Sequence, residues 1–339
     1  MKKKIIYGTL LLLLAVGGFL AWKIFGPTVS APQGKYFYIK AGATYTEVKT
    51  ALLDQHIISS EYFFERIAKQ AKYTNAVKAG RYEIKNGMSL FSLVRMLRSG
   101  KQAPVNLVIT KLRTREDLAA KIAANFECDS ASVMNILTNE DSLRRYGLNE
   151  NTAMTAVIPN TYSIPWNTAA VKIFKKLFTE KEKFWNEERM KKAAALNFTP
   201  EQVYTLASIV DEETNKEEDK GKVASVYINR IQSGQRLEAD PTIKFALKNF
   251  GLKRIRKSHI DACAGSPFNT YYVTGLPPGP ICTPSPKTID AVLNAPVTNY
   301  LFFVARPDWS GLSNFTSSYA EHQVNARNYQ HFLDSINIK

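Results

Sequence analysis

An uncharged run of 18 residues, Ile5 to Trp22, follows directly on three lysines, Lys2, Lys3 and Lys4. As a helix rising 1.5 Å per residue it reaches roughly 27 Å, about the hydrocarbon thickness of a bilayer. A core helix of a soluble protein carries a polar stripe over such a length; this run carries none. Two fates compete, a cleaved secretory signal and a retained anchor. Signal sequences have a shorter apolar region, about 7–15 residues. Val29 and Ala31 imitate a cleavage site, but Pro32 follows at once. Length therefore selects the anchor, and with no cysteine nearby a lipoprotein is excluded. The basic flank predicts residues 1–4 in the cytoplasm, 5–22 as the span, 23–35 as a short linker and the remainder outside the inner membrane.

That topology decides what the charge means. The chain has 339 residues and a formal net charge of +15. Without Lys2, Lys3, Lys4 and Lys23, the exterior part keeps +11. A basic exterior domain does not meet the chromosome, so nucleic acid is excluded as a partner. An anionic envelope polymer or the membrane surface is expected instead. The hydrophobic share of 45% and charged share of 22% are those of a globular chain. Three cysteines, Cys128, Cys263 and Cys282, make neither a disulfide scaffold nor a four-thiolate zinc site. His56, His259, His322 and His331 lack ligand spacing, so no metal and no cofactor is expected.

The expected fold class is α+β: a transmembrane helix, a small α+β module over 36–104, and a mixed α+β domain over 105–339. In the module Tyr36–Ile39 and Gly80–Ile84 are strand candidates. Segments 46–53, 60–71 and 89–97 have helical spacing, the last stopped by Ser99-Gly100. Nothing in it is catalytic by pattern, and a packing or spacing role suffices. A single amphipathic helix is expected over 168–195, with Ile173, Phe174, Leu177 and Phe178 toward the core and lysines toward solvent. Lipid contact is the weaker alternative for such a basic helix.

Chemistry is expected in the segment opening at Thr199. Thr199 with Gln202 three residues on, and Pro200 at the first helical position, form a capping box. Val203, Leu206, Ala207 and Val210 define the buried face, and the same rhythm brings Glu213 onto it while Asp211 and Glu212 turn away. A carboxyl at the end of an apolar stripe is desolvated and its pKa raised. Such a group keeps the proton that a general acid needs, unlike a free Glu near 4.3. A Glu in a last helical turn is more often a surface residue, so this helix alone does not decide its role. A helix from Glu217 carries Asn229 and Arg230 near its end. Asp240 is a helix-cap candidate ahead of Pro241. Asn269, Thr270 and Tyr271 place polar groups beside aromatics, as a carbohydrate groove does. A proline-fixed loop, Gly275 to Ile281, comes next, and a final helix bears Glu321-His322.

These segments resemble the YceG-like family, the endolytic murein transglycosylases. The matching pieces are ASIVDEET (207–214), KVASVYINR (222–230), ADPTIKFA (239–246), FNTYYVTGLPPGPI (268–281), YLFFVA (300–305) and EHQVNA (321–326). Upstream, KAGRYEI (78–84) and LRSGK (97–101) resemble a LysM-like module. The resemblance implies Glu213 as the catalytic acid, being the second acid of the family's E-K-E-T motif, here Asp211-Glu212-Glu213-Thr214. Asn229, Asp240, Asn269, Thr270, Tyr271 and His322 are the substrate-binding candidates. Ser313 stands where the family often has His. The implied reaction cleaves the bond from N-acetylmuramic acid to N-acetylglucosamine inside peptidoglycan strands and leaves 1,6-anhydro ends. Work beside peptidoglycan synthases is also implied. A water-using muramidase and a non-catalytic wall-binding scaffold are the alternatives.

Overall fold

The computed structural model describes residues 2–335. Residue 1 and residues 336–339, which fall in the expected cytoplasmic and C-terminal segments, lie outside the described residues. The chain forms two compact units, each with its own core. The first runs to residue 107 and adds 124–128 and 162–169; the second takes 108–123, 129–161 and the chain from 170 on.

In the first unit α1 (Lys2–Phe25) buries no residue and is long and apolar enough to cross a membrane. It is followed by β1 (Tyr36–Ile39), α2 (Tyr45–Asp54), α3 (Glu61–Gln70), β2 (Gly80–Glu83) and α4 (Leu90–Ser99). β1 and β2 pair antiparallel, Tyr36 opposite Glu83 and Ile39 opposite Gly80. Alternation puts Phe37, Ile39 and Tyr82 on the inner face. The three helices cover that face with Val48, Leu52, Phe64, Ile67, Leu93 and Leu97. A capping box of Thr44 and Glu47 starts α2, and Gly100, at φ 72°, ends α4 where a side chain would be strained. A second pair joins β3 (Val105–Val108) to β4 (Thr161–Ile164).

The segment expected as a free linker over 23–35 is docked on this unit. Val29 is 2% exposed, inside the core. Its amide donates to Met88 O at 3.1 Å, and the Ser30 amide donates to Ile57 O at 3.0 Å. The Gly87 amide donates back to Val29 O at 3.0 Å and the Ala31 amide to Asn86 Oδ1 at 2.6 Å, so one apolar side chain and a few backbone-group bonds hold a segment that composition alone marks as loose.

The second unit is mostly helical: α5 (Arg115–Ala123), α6 (Ser130–Thr138), α7 (Glu140–Arg144), a 3-10 turn (Ala153–Ala156), α8 (Ala170–Phe184), α9 (Glu187–Ala195), α10 (Pro200–Glu213), α11 (Glu217–Gln232), α12 (Asp240–Ala246), α13 (Lys257–Ala262), α14 (Pro286–Leu293) and α15 (Tyr319–Ser335). Its hairpin pairs β5 (Phe302–Ala305) with β6 (Ser313–Thr316), Phe302 opposite Thr316. The expected long helix over 168–195 is two helices. Trp185 packs into the core, and the Asn186 side chain accepts the Arg189 amide at 3.0 Å, capping a new helix. Ile173, Phe174 and Leu177 are buried, as a core-facing stripe requires.

Helix α10 is the axis of this unit and packs against α14, α11 and α12. Its capping box forms with both bonds. Every residue from Val203 to Asp211 is buried, so the helix has no solvent face in its middle. Its polar members are satisfied inside. Ser208 Oγ donates to Thr205 O at 2.6 Å and accepts the Ile281 amide at 3.0 Å, and Tyr204 donates to Val157 O.

Candidate active site

Glu213 is the last residue of α10, and Tyr227 lies nearly three turns into α11 after the short connection. The Tyr227 hydroxyl donates to Glu213 Oε1 at 2.6 Å. Burial pushes the Glu213 carboxyl up to about 7; the Tyr227 bond opposes this, while the negative charge of Asp240 adds to it. Burial and the Glu213 charge together raise the Tyr227 phenol well above its ordinary value, so it stays a donor.

This pair opens on a cavity of about 330 Å³. Asp240, Tyr271, Arg230, Glu238 and His322 supply its other polar walls, and Phe302, Phe303 and Tyr319 its aromatic ones. Tyr271 donates its hydroxyl to Asp240 Oδ1 at 2.6 Å. Asp240 is therefore committed to the cavity and not to a helix cap. Ala239 holds the cap position of α12, with no side-chain cap bond. Arg230 pairs with Glu238 at 2.6 Å, and its guanidinium lies 5.6 Å from the centre of the Phe302 ring. His322 stacks on that same ring, 5.2 Å from Phe302 centre to centre. Burial, then the charge of Arg230, lower the His322 pKa, so its imidazole is neutral at neutral pH. Its Nδ1 makes no hydrogen bond among the described residues.

Asp211 and Glu212 turn away from the cavity, as helical geometry requires, but not into solvent. Asp211 accepts from the Thr288 hydroxyl and pairs with Lys111 at 3.0 Å and Lys220 at 3.3 Å. Burial alone would raise its carboxyl; Thr288, Lys111 and Lys220 outweigh that and hold it below the usual aspartate value. Arg113 grips Glu212 with two bonds, Nε at 3.2 Å and Nη2 at 3.0 Å. This network fastens the C-terminal end of α10 and so sets the direction of Glu213.

Of the expected residues, Glu213, Asp240, Tyr271 and His322 meet at the cavity, and Asn229, Asn269 and Thr270 do not line it. Asn229 donates to Thr298 O at 3.0 Å and Tyr300 O at 2.9 Å, holding the approach to β5. Asn269, fully buried, donates to Ile260 O and Cys263 O. Thr270 Oγ1 accepts the Ala239 amide at 3.0 Å, which positions α12 and thereby Asp240. The proline-fixed loop ends in a strap: after Ile281 on Ser208, the Thr283 amide donates to Leu112 O at 2.7 Å. A Cβ at Gly279 would run into the Asn151 carbonyl, so this glycine is needed for close approach. Ser313 is nearly buried, its amide donating to Asp219 Oδ2 at 2.7 Å. Cys263 and Cys282 are separate free thiols.

Sequence reasoning missed Tyr227, Glu238, Phe302, Phe303 and Tyr319. Tyr227 left one signal: it shares the buried face of α11 with Val223 and Ala224, where a phenol needs a partner. The others come from three different elements, which no spacing rule joins.

The model of the YceG-like family matches residues 37–328, and the chain belongs to that family. It is 27% identical over 312 residues to the endolytic murein transglycosylase of Bacillus subtilis, covering 86% of this chain and 83% of that one. The endolytic murein transglycosylase of Streptococcus pneumoniae is 26% identical over 337 residues, 87% of this chain but 59% of the relative. In fold, the chain is similar to a YceG-like protein of Listeria monocytogenes, with a TM-score of 0.57 and 24% identity over 86% of this chain and 99% of that one.

Proposed function

We propose that the chain is a membrane-anchored endolytic lytic transglycosylase acting on peptidoglycan, with Glu213 as its single acid–base group. The observation that carries the proposal is a carboxyl with its pKa raised to about 7, bonded to Tyr227, at the end of a buried helix and facing an aromatic-walled cavity. The names of the two relatives support the substrate. Protonated Glu213 donates to the glycosidic oxygen as the bond from the muramoyl anomeric carbon breaks. The muramoyl C6 hydroxyl attacks that carbon and gives its proton to the Glu213 carboxylate. A 1,6-anhydro end forms, a new 4-hydroxyl is released, and the acid is regenerated without water. Cuts made within strands near the membrane would limit their elongation beside the synthases.

α1 serves as the retained single-pass anchor, with the basic N-terminus inside the inner membrane and the rest on its outer side. The order β1, α2, α3, β2 supports reading 36–104 as a LysM-like module that holds glycan, with the catalytic domain from 105 on.

A hydrolytic muramidase is favoured by one observation, the second carboxylate of Asp240 in the same cavity. Asp240 accepts the Tyr271 proton and raises the Glu213 pKa, and these two duties account for it without an activated water. Mass spectrometry of the products of purified protein on glycan strands separates the two: anhydro ends are about 18 Da lighter than hydrolysed ends, one water being absent. Reducing ends alone would overturn the proposed reaction.

A further inference from the structure

A cavity of about 980 Å³, larger than the catalytic one, lies in the first unit and shares no residue with it. The end of α1, α3, α4 and the residues before β2 enclose it. Its apolar wall includes Ile24, Phe25, Phe91 and Val94; its basic wall is Lys78, Arg95 and Arg98, and no acidic residue lines it. Arg95 and Arg98 are exposed and make no ion pair among the described residues, and Lys78 donates only to a backbone carbonyl, Ser99 O, at 3.2 Å. Phe25 and Phe91, both exposed, meet with ring centres 5.5 Å apart.

The arrangement has a direction. Phe91, Arg95 and Arg98 are spaced four and three residues apart, so they share one face of α4. The Phe25–Phe91 contact sits at one end of that row and the cations follow within two turns. Phe25 is three residues past Trp22, the end of the uncharged run, so it lies roughly 5 Å along the helix from the hydrocarbon boundary. An apolar mouth at the bilayer surface, continuing into an unmatched cluster of three cations, is complementary to one kind of molecule: an acyl chain joined to a phosphate.

We propose that this groove binds an anionic phospholipid of the surrounding leaflet, its phosphate between Lys78, Arg95 and Arg98 and the upper part of a chain against Phe25 and Phe91. The bound lipid closes the groove and locks the first unit onto the membrane at a fixed height. The proposal rests on α1 lying in the bilayer as the retained anchor.

The test uses the full chain. First, flotation with vesicles of neutral phosphatidylcholine reports the anchor alone. Native mass spectrometry of the detergent-solubilised chain, offered equal phosphatidylglycerol and phosphatidylcholine, then reports the groove. The expected result is preferential retention of phosphatidylglycerol. Each cation near an anionic headgroup is worth roughly fivefold, so Arg95→Ala with Arg98→Ala should reduce the preference by roughly 30-fold. Both side chains are exposed and unpaired, so the fold is untouched. Lys172→Ala with Lys175→Ala, which removes the same charge from an exposed face of α8, should keep the preference. Phe91→Ser should weaken retention of both lipids. Equal loss in the two double variants, no loss in the arginine variant, or competition by glycerol phosphate as effective as by the lipid would overturn the groove. Failure to float would overturn the anchor and the groove together.

Discussion

At the scale of single residues, the proposed acid is a carboxyl that folding keeps partly protonated at neutral pH. Its pKa of about 7 against an ordinary 4.5 has two consequences. As a general acid it must hold its proton, so turnover should fall as pH rises through about 7. As a raised carboxyl it binds its proton more tightly when folded, so its contribution to stability is complete at low pH and is lost as pH rises toward 7. A shift of this size corresponds to about 3 kcal/mol. Glu213→Gln should therefore melt higher than the parent at pH 8, and the gain should shrink toward pH 5; calorimetry at the two pH values checks this. Asp240→Asn removes the charge that raises Glu213, so the alkaline limb of the pH–rate profile should move to lower pH. Tyr227→Phe removes the bond that lowers it, so the limb should move up while turnover falls about tenfold through lost orientation. Limbs moving the opposite ways would show that Glu213 does not set the profile.

At the scale of elements, the end of α10 is held by ion pairs in which Asp211 and Lys220 are buried, while Lys111 and Arg113 keep partial contact with water. Removing one partner of a buried pair leaves an uncompensated charge, which typically costs about 3–5 kcal/mol. Asp211→Asn faces Lys111 and Lys220 and should lose about that much in urea unfolding. Glu212, seen from the sequence, is merely turned away from Glu213; its grip by Arg113 makes Glu212→Gln a stability variant too, and removing its charge should lower the pKa of Glu213, though Asp240 is the larger of the two charge effects. Gly279→Ala should cost about 1–3 kcal/mol, because the strap cannot move away from Asn151 without leaving Ser208. A melting point unchanged in both Asp211→Asn and Gly279→Ala would show that neither the strap nor the network holds α10. Local rules were enough to read the Thr199 cap and the rotation of Glu213, since both are set within one or two helical turns. They were not enough for Asp240, whose cap-like position before Pro241 is overridden by a tyrosine 31 residues away. Asn229, Asn269 and Thr270 have the polar side chains of a binding site and use them on backbone groups, a choice that depends on contacts far apart in the chain.

At the scale of the whole molecule, with α1 as the proposed anchor, the docked segment behind it turns a tether into a mount. A flexible linker of about 13 residues would span roughly 20 Å on average. With Val29 in the core of the first unit, that freedom is absent. Val29→Asp buries a charge there and should release the segment, seen as proteolysis between Phe25 and Tyr36 that the parent resists. The anchor itself is checked by extraction: detergent should be required, and the mature N-terminus should precede Lys2–Phe25. A soluble form beginning near Pro32 would contradict it. The long apolar helix was legible because length and composition suffice to mark it. The docking was not, because one valine and a few bonds to backbone groups leave no pattern in composition.

The central claim is that one carboxyl does the acid–base chemistry, and cleavage of purified glycan strands by Glu213→Gln tests it most directly. Gln keeps the size and the hydrogen bonding of Glu but has no proton to give to the leaving oxygen. With the variant folded by calorimetry, the expected result is a loss of at least about 10²–10⁴-fold in the rate at which new strand ends appear. Near-parental cleavage by folded Glu213→Gln would contradict it.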